Sequence, residues 1–306
     1  MRFISELKTA VEIVQKATEI TEWFRKKGFE SFVKSDQSPV TLADFASQIY
    51  ILSELKDYFP EDKIIAEEEN INYIDLKAEN LIKECFDELE LEKIKDIRKI
   101  IAYRGRPSER QWTVDPIDGT IGYQKGLSYA VAIGFMVNSL PKICAIAVPN
   151  YKEQALFLFS AEKNQGAKVS YGNEGFSTVR VSKNEDLSRF RLCHSLHYDK
   201  PWVLNFAQKV GIRNFVQIDS MAKFCMIAEG SADLYIKPID VAHSFTWDFM
   251  PGELLVKEAG GEVTDLNGKE LKYKVEKCLW TAPGIIASNG ILHKKIIKSF
   301  KINQSI

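Results

Sequence analysis

The central segment of this 306-residue chain, residues 111–169, constrains its fold more than any other feature of the sequence. Short runs rich in β-branched and aromatic residues follow one another there, and from residue 129 onward only five or six residues separate each run from the next. The runs that predict strands are residues 111–114, 129–137, 143–148, 154–160 and 167–169. Because strands joined by such short connections usually lie side by side in opposite directions, the segment predicts an antiparallel meander.

Helices are predicted before the meander. Over residues 5–27, apolar residues at three-and-four spacing form one stripe, and Gly28 supplies a stop signal. Thr41 and Asp44 form a helix start signal of the S/T-x-x-D type, so a second helix is expected from there. The charged, leucine-rich residues 71–104 are expected to form one or two surface helices.

The pattern changes from about residue 187 onward. Strand-like and helix-like segments then alternate, ending in a strand at 284–288 and a helix at 291–300. The predicted fold class is therefore mixed, with an N-terminal α+β half (residues 1–186) and a C-terminal α/β half (residues 187–306). Since the sequence contains no internal repeat and no flexible linker, we expect the two halves to pack together.

The charge balance excludes some classes of function. The chain has 41 basic and 42 acidic side chains and a formal charge of −1, so no excess attracts a phosphate backbone or an anionic membrane. The longest apolar run, residues 130–137, is too short to cross a bilayer, and Glu6 and Lys8 interrupt any signal peptide. We expect a soluble, cytoplasmic protein that binds neither nucleic acid nor membranes.

The cysteines indicate a reducing compartment. They are widely scattered, odd in number and without a C-x-x-C pair, which argues against both a disulfide framework and a thiolate metal site. The five positions are Cys85, Cys144, Cys193, Cys225 and Cys278.

The strongest chemical signal is W-T-V-D-P-I-D-G-T, residues 112–120. Asp115 and Asp118 lie three residues apart across a proline, a spacing that lets two carboxylates bracket hard cations. The peptide N–H groups around Gly119 and Thr120 can face an anion. The alternative is an Asp-Gly hairpin turn that Asp115 caps, with no role in chemistry.

Other carboxylates have a functional and a structural interpretation. Glu67 follows the apolar strand 63–65, but it belongs to a run of three glutamates that a solvated surface also explains. Asp248 precedes a helical segment, and it is either a site residue or only an N-cap. Asp44 is either a site residue or only the partner of Thr41 in a capping box.

The order of these motifs along the chain resembles a known superfamily. T-L-A-D, A-E-E, D-P-I-D-G-T and W-D followed by E-A-G-G resemble the lithium-sensitive, magnesium-dependent phosphomonoesterases that include inositol monophosphatase and fructose 1,6-bisphosphatase. The resemblance covers residues 34–290. Within it, S-P-V-T-L-A-D-F-A-S-Q (38–48), D-S-M-A-K-F-C (219–225) and A-D-L-Y-I-K-P (232–238) look most like the 3'(2'),5'-bisphosphate nucleotidases.

The resemblance implies a fold, an activity and a set of metal ligands. The implied fold is a layered αβαβα sandwich of the sugar-phosphatase type. The implied reaction removes the 3'-phosphate of 3'-phosphoadenosine 5'-phosphate, and often of its 5'-phosphosulfate, with inhibition by lithium. The groups that the resemblance assigns to two magnesium ions are Glu67, Asp115, Asp118, Asp248 and the backbone carbonyl of Ile117. It implies a third ion near Asp44 and Glu67.

The resemblance also implies roles for neighbouring groups. Thr120, paired with Asp44 or Glu67, is expected to orient and deprotonate the attacking water. The amides of Gly119 and Thr120 are expected to hold phosphate oxygens. The residues expected to bind the second phosphate, the ribose or the base are His194, Ser195, Ser220, Lys223 and Lys237.

Structural alternatives remain for two of these residues. Asp219 and Lys223 have the spacing of a helix salt pair, and His194 fits a buried histidine at a strand end. The nearest rival activity is hydrolysis of inositol phosphates, particularly inositol 1,4-bisphosphate, and a more distant one is a non-catalytic nucleotide sensor. The resemblance favours a monomer, and a homodimer stays open.

Three positions depart from the family pattern. Ala66 replaces the usual glycine, which leaves both Glu67 and Glu68 open as the ligand. Met250 stands where small residues are usual, so we expect it beside the metal site. Lys237 replaces a frequent arginine and provides a point charge instead of a bidentate fork.

Overall fold

The computed structural model describes residues 2–304 apart from 36, 92, 93, 95, 153, 154, 173, 198, 199, 239–244 and 274–283. The helices of the described part are α1 (Ile4–Lys27), α2 (Leu42–Tyr58), α3 (Leu76–Glu88), α4 (Ile97–Ile101), α5 (Thr120–Gln124), α6 (Pro201–Lys209), α7 (Ala222–Ala228), α8 (Met250–Glu258) and α9 (His293–Gln304). Its strands are β1 (Ser31–Val33), β2 (Pro39–Thr41), β3 (Lys63–Ala66), β4 (Arg110–Asp118), β5 (Ala130–Val137), β6 (Leu140–Tyr151), β7 (Ala155–Glu162), β8 (Gly166–Tyr171), β9 (Ser177–Val179), β10 (Arg191–His194), β11 (Asn214–Gln217), β12 (Leu234–Pro238), β13 (Glu262–Asp265) and β14 (Gly284–Ser288).

The central segment forms a seven-stranded sheet in the order β3-β4-β5-β6-β7-β8-β9. Strand β3 is parallel to β4, and every later pair is antiparallel, which confirms the predicted meander. The connection predicted at 138–142 is shorter than expected, because β6 already begins at Leu140. Asn138 and Ser139 alone make the turn, with φ of 53° and 60°, the left-handed geometry of a tight hairpin. The strand predicted at 154–160 starts at a residue outside the described part.

The C-terminal region forms a five-stranded sheet in the order β11-β10-β12-β14-β13. Strand β10 runs parallel to β11 and β12, whereas β14 runs antiparallel to both of its neighbours. The alternation of strands and helices predicted for this region is confirmed from β10 to α8. The mixed sheet brings the carboxyl ends of β10 and β12 to one edge.

The apolar residues divide into three clusters that separate five layers. The first cluster joins α1 and α2 to one face of the seven-stranded sheet. The second joins the other face of that sheet to α7, α8 and the five-stranded sheet. The third covers the outer face of the five-stranded sheet with α6 and α9. This αβαβα arrangement confirms the expected fold class.

The alternation of side chains along each strand explains how the seven-stranded sheet contributes residues to two apolar clusters, one on each of its faces. On β5, Val131 and Ile133 belong to the cluster with α1 and α2, while Ala130 and Ala132 face α7 and α8. Successive side chains of a strand point to opposite faces, so the small residues lie together on one side. The central helices can therefore approach that face closely.

The predicted helix signals are confirmed. The N–H of Gly28 bonds the carbonyl of Phe24 at 2.9 Å where α1 ends, and α2 begins directly after Thr41. Residues 71–104 contain α3 and α4, as expected. Within the described ranges, no helix is both long enough and apolar enough to cross a membrane.

The thiols of the described part are all reduced and buried. These are the side chains of Cys85, Cys144, Cys193 and Cys225, and Cys278 lies outside the described residues. Burial raises the pKa of Cys85 to about 12. These thiols have the character of small core residues, not of nucleophiles.

Candidate active site

A β-bulge brings the two aspartates of the W-T-V-D-P-I-D-G-T motif to one place. Asp115 pairs with Ala132 of β5, and Asp118 pairs with Ala130. Moving three residues along β4 therefore corresponds to moving only two residues along β5, so β4 contains one extra residue. In a regular strand residues three apart point to opposite faces, and the bulge re-aims Asp118. Ligand oxygens of Asp115, Asp118 and Asp248 lie within 4.8 Å of one another.

The segment after the bulge is a helix start and not a hairpin. Gly119 adopts a left-handed conformation with φ of 89°, and α5 begins at Thr120. The alternative of an Asp-Gly hairpin capped by Asp115 is therefore wrong, because the chain continues from the turn into a helix. The side-chain hydroxyl of Thr120 is directed back to the carbonyl of Ile117, 3.3 Å away.

Electrostatics favour a cation at these carboxylates. Asp115 is 1% exposed, and its Oδ1 atom has no hydrogen-bond partner within the described part of the chain. Burial raises its pKa well above the ordinary value, and the charges of Glu67, Asp118 and Asp248 raise it further. A buried carboxylate oxygen without a hydrogen-bond partner, surrounded by other acids, is costly unless a cation neutralises the charge.

Asp248 joins the cluster from the loop before α8. Burial raises its pKa to about 7, the charges of Asp118 and Glu67 act in the same direction, and Lys237 opposes them. Its Oδ2 atom accepts a hydrogen bond from the N–H of Phe245 at 3.3 Å. The N-cap alternative is wrong, because α8 begins at Met250 and its N-cap is Phe249.

The three glutamates after β3 differ in their surroundings. The ammonium of Lys34 lies 2.8 Å from an oxygen of Glu67 and 2.6 Å from one of Glu68. Glu67 is the one whose charge raises the pKa of both Asp115 and Asp248. Glu68 is buried, and only Glu69 is exposed to the extent that a solvated charge run predicts. The geometry thus favours Glu67 over Glu68 as the residue that faces the cluster.

Asp44 forms the predicted capping box and also contacts Thr120, and its role in the site stays a prediction. Its Oδ2 atom accepts hydrogen bonds from the N–H and the hydroxyl of Thr41, at 2.8 and 2.6 Å, which forms the capping box. Its Oδ1 atom accepts a bond from the hydroxyl of Thr120 at 3.3 Å. Burial raises the pKa of Asp44 to about 7, Glu67 adds to this, and the bonds from Thr41 oppose it.

Two lysines of the expected nucleotide pocket lie close to the acidic cluster. Burial lowers the pKa of Lys223 to about 8, and its Nζ donates to the carbonyl of Ile218 at 3.2 Å. The Nζ of Lys237 lies 4.5 Å from the ring centroid of Phe249. Both positive charges oppose the rise that burial causes in the pKa of Asp118. These lysines therefore act on the charge of the cluster, and their roles in a nucleotide pocket stay predictions.

The structural alternative of a helix salt pair between Asp219 and Lys223 is wrong, because α7 begins only at Ala222. The carboxylate of Asp219 instead accepts bonds from the hydroxyl of Ser195 and the N–H of Leu196, each at 2.9 Å. It also bonds Nδ1 of His197. Asp219 thus ties the end of β10 to the segment that leads into α7.

Ser220 lies directly against Gly119, one of the residues expected to bind phosphate oxygens. Its φ of 65° is unusual for a residue with a side chain, and such strain is common at functional sites. A Cβ atom added to Gly119 would lie 3.0 Å from the Cβ of Ser220. The N–H of the next residue, Met221, donates to Asp118. The chain therefore packs residues 220–221 onto the bulge of β4.

His194 is buried at the end of β10, as the structural alternative predicted. Its ring meets Phe215 edge to face at 6.2 Å, and its backbone carbonyl accepts from the N–H of Ile218 at 3.1 Å. The site roles of His194 and Ser195 stay predictions.

Met250, the first residue of α8, is fully buried. Its side chain packs against Gly134 of β5, where a Cβ atom would lie 2.1 Å from the Met250 Cε. The long side chain therefore occupies the space that Gly134 leaves on the sheet, and its effect on the metal site stays a prediction.

Sequence reasoning gave no role to three residues that contact the site. Lys34 pairs with the glutamates, Ser47 bonds the carbonyl of Pro116, and Gln48 bonds the backbone of Glu68. Ser47 and Gln48 end the motif at residues 38–48, so their position in that motif was the available signal.

Comparison with known families agrees with this geometry. The sequence profile described as "Inositol monophosphatase family" matches residues 4–305. The chain belongs to the inositol monophosphatase family. Members of this family are generally magnesium-dependent and inhibited by lithium, which suits the acidic cluster described above.

Curated relatives within the inositol monophosphatase family match nearly the whole chain. A 3'(2'),5'-bisphosphate nucleotidase of Schizosaccharomyces pombe is 30% identical over 98% of this chain and 96% of its own length. One of Emericella nidulans is 31% identical, with 98% and 97% covered. A 3',5'-bisphosphate nucleotidase 2 of Arabidopsis thaliana is also 31% identical, with the same coverage.

Solved structures support the fold. The IMPase of Thermotoga maritima superposes with a TM-score of 0.70 at 21% identity, and 97% of each chain is covered. The extragenic suppressor protein suhB of Bartonella henselae gives a TM-score of 0.71 at 20% identity, with 97% of this chain and 98% of that one covered. The resemblance stated from the motifs is therefore confirmed at the level of family and fold.

Proposed function

We propose that this protein is a magnesium-dependent 3'(2'),5'-bisphosphate nucleotidase. It hydrolyses the 3'-phosphate of 3'-phosphoadenosine 5'-phosphate to give AMP and phosphate, and it also accepts the 5'-phosphosulfate. One observation carries the proposal: Lys223 and Lys237 lie close enough to Asp118 for their charges to act on it. A site that combines cation ligands with two additional positive charges suits a substrate with two phosphate groups.

The donor groups fit magnesium, which prefers oxygen ligands. The groups that would hold it are the carboxylates of Glu67, Asp115, Asp118 and Asp248 and the carbonyl of Ile117, with Asp44 and Glu67 at a third position. The unpartnered Oδ1 of Asp115 and the mutual approach of three carboxylates support this assignment. When bound, the ions supply activation of water and neutralisation of charge on the phosphoryl group.

The proton of the attacking water has an acceptor within the chain. The hydroxyl of Thr120 donates to Oδ1 of Asp44, so the oxygen of Thr120 can accept a hydrogen bond from water. The carboxylate of Asp44, which faces that hydroxyl through Oδ1, can take up the proton. Thr120 thereby orients the water, and Asp44 receives the proton through it. Glu67 is the alternative acceptor.

The remaining residues orient the substrate. The N–H groups of Gly119 and Thr120 stand at the start of α5, where they can bind phosphate oxygens. The ammonium of Lys223 has three N–H donors, one of which is directed at the carbonyl of Ile218. The residues assigned to the second phosphate, ribose and base are His194, Ser195, Ser220, Lys223 and Lys237.

Phosphate release distinguishes this proposal from hydrolysis of inositol phosphates. The test compares kcat/KM for 3'-phosphoadenosine 5'-phosphate, inositol 1,4-bisphosphate and inositol 1-phosphate, with magnesium and with EDTA. We expect the nucleotide to be preferred at least tenfold and all activity to require magnesium. A preference for either inositol phosphate would favour the rival activity, and tight nucleotide binding without turnover would favour the sensor.

The same proposal includes the cellular setting. We place the protein in the cytoplasm, where 3'-phosphoadenosine 5'-phosphate arises in sulfur metabolism, and we expect a monomer. Sedimentation of the purified protein tests the monomer.

A further inference from the structure

One face of α2 contacts three separate segments of the candidate site. Asp44 bonds Thr120 at the start of α5, and Ser47 donates its hydroxyl to the carbonyl of Pro116 in the bulge of β4, at 3.1 Å. Gln48 bonds the backbone of Glu68 just after β3. Residues three and four apart on a helix lie on one face, so α2 fixes the distances among these segments.

The contact of Gln48 is the most completely paired of the three. Its Nε2 donates to the carbonyl of Glu68 at 2.6 Å, and its Oε1 accepts from the N–H of the same residue at 2.8 Å. Gln48 is fully buried. The side-chain amide of Gln48 therefore binds both the N–H and the carbonyl of Glu68, as the backbone of a neighbouring strand would.

This clamp restricts Glu67. The N–H of Glu67 bonds the carbonyl of Val114 at 3.3 Å, and the next residue is held by Gln48. The backbone of Glu67 is thus fixed on both sides, and its carboxyl group hydrogen-bonds that of Asp115 as well as pairing with Lys34. A positioned ligand binds a cation more tightly, because less conformational entropy is lost on binding.

We propose that Gln48 is a positioning residue for divalent-cation binding, which holds the carboxylate of Glu67 opposite Asp115 through the backbone of Glu68. The inference rests on the proposed function, since it takes Glu67 as a magnesium ligand. It adds a residue without any contact to the cation or the substrate.

The test compares two buried glutamines. Gln48→Met removes the clamp, and Gln111→Met is the matched control, because Gln111 is 1% exposed on β4 and its Oε1 has no partner in the described part. Magnesium binding is measured by calorimetry without substrate, and thermal unfolding is measured in EDTA. We expect Gln48→Met to weaken magnesium binding about 10–100-fold and Gln111→Met to leave it within about twofold.

Each outcome decides the proposal. Equal magnesium affinity in Gln48→Met and the wild type overturns it, and so does an equal loss in both variants, which would indicate general loosening of the fold. If Gln48→Met does not fold, Gln48→Asn takes its place, because it keeps a buried amide that is one methylene too short for the clamp. Unchanged affinity in Gln48→Asn then overturns the proposal. A wild type that binds no magnesium contradicts the proposed function instead.

Discussion

Magnesium binding to this protein should release protons near neutral pH. Without the metal, burial raises the pKa of Asp44 and of Asp248 from 3.8 to about 7. A carboxylate must be ionised before it binds a dication, so any proton that it carries has to leave first. The apparent affinity for magnesium should therefore rise with pH until both groups are ionised.

The magnitude follows from the pKa values. A carboxyl group with a pKa of about 7 is ionised to about 10% at pH 6 and about 90% at pH 8. Each such ligand then changes the apparent affinity about tenfold across this range. Ionisation of Asp248 alone should raise the apparent affinity for magnesium about tenfold from pH 6 to pH 8. Ionisation of Asp44 would make this increase larger.

The same two carboxyl groups should make the metal-free protein less stable as pH rises, whereas they make magnesium binding tighter. Between pH 3.8 and about 7, the folded metal-free protein keeps a proton on Asp248 that the unfolded chain has lost. The free energy of unfolding in EDTA should therefore decrease as pH rises through this window, by about 1.4 kcal/mol per pH unit for each such group. Saturating magnesium should remove this decrease, because the bound cation favours the ionised form.

Calorimetry at pH 6.5 in two buffers with different ionisation enthalpies counts the protons released. We expect about one or more per protein molecule, and Asp248→Asn should lower the count. Thermal unfolding in EDTA and in magnesium between pH 5.5 and 8 gives the stability comparison. Equal magnesium affinity at pH 6 and pH 8 with no proton release would refute the electrostatic account of the cluster.

Three further predictions concern single side chains, and a fourth concerns lithium. Asp118→Asn should retain its circular dichroism spectrum and lose about 100-fold or more in phosphate release, and near-wild-type turnover would mean that Asp118 is not a ligand. Lys223→Met should lower kcat/KM for the nucleotide about 10–100-fold; an equal loss with inositol 1-phosphate would show that Lys223 acts through Asp118. Lithium should reduce turnover with magnesium present, which a titration against a related control enzyme checks. Burial lowers the pKa of His293 from 6.5 to about 4. As pH drops from 6.5 towards about 4, the unfolded chain binds a proton that the folded chain does not, so the free energy of unfolding should fall by about 1.4 kcal/mol per pH unit. Denaturant unfolding of His293→Gln and of the wild type across this range measures the difference.

Periodicity was sufficient to predict most elements of the fold. The alternation on β5 and the stripe on α1 arise because each element buries one face, and that pattern is local in sequence. The five layers were not predictable from the pattern alone, because the order of strands in each sheet depends on contacts between distant residues. The family resemblance supplied the αβαβα layering, which the structure confirms, and the order of strands came from the structure alone.

The carboxylates of the site were predictable from motifs, but their approach to one another was not. A spacing of three residues on a strand places Asp115 and Asp118 on opposite faces, and only the bulge between them reverses this. Lys34 pairs with Glu67 although the two residues are 33 positions apart in sequence, so no local motif predicts the contact. Its pairing with Glu67 and Glu68 requires the loop between β1 and β2 to fold over the end of β3.

The structural and functional interpretations of Asp44 were not true alternatives. A carboxylate has two oxygens and about four acceptor positions, so one side chain can cap a helix and bind a second group. The bond to Thr41 through Oδ2 fixes the side-chain rotamer, and this leaves Oδ1 directed at Thr120. The capping box that the sequence predicts is thus the device that orients the proposed proton acceptor. Thr41→Val should therefore lower turnover as well as helix stability, because the isosteric change removes the hydroxyl that holds Asp44 in place.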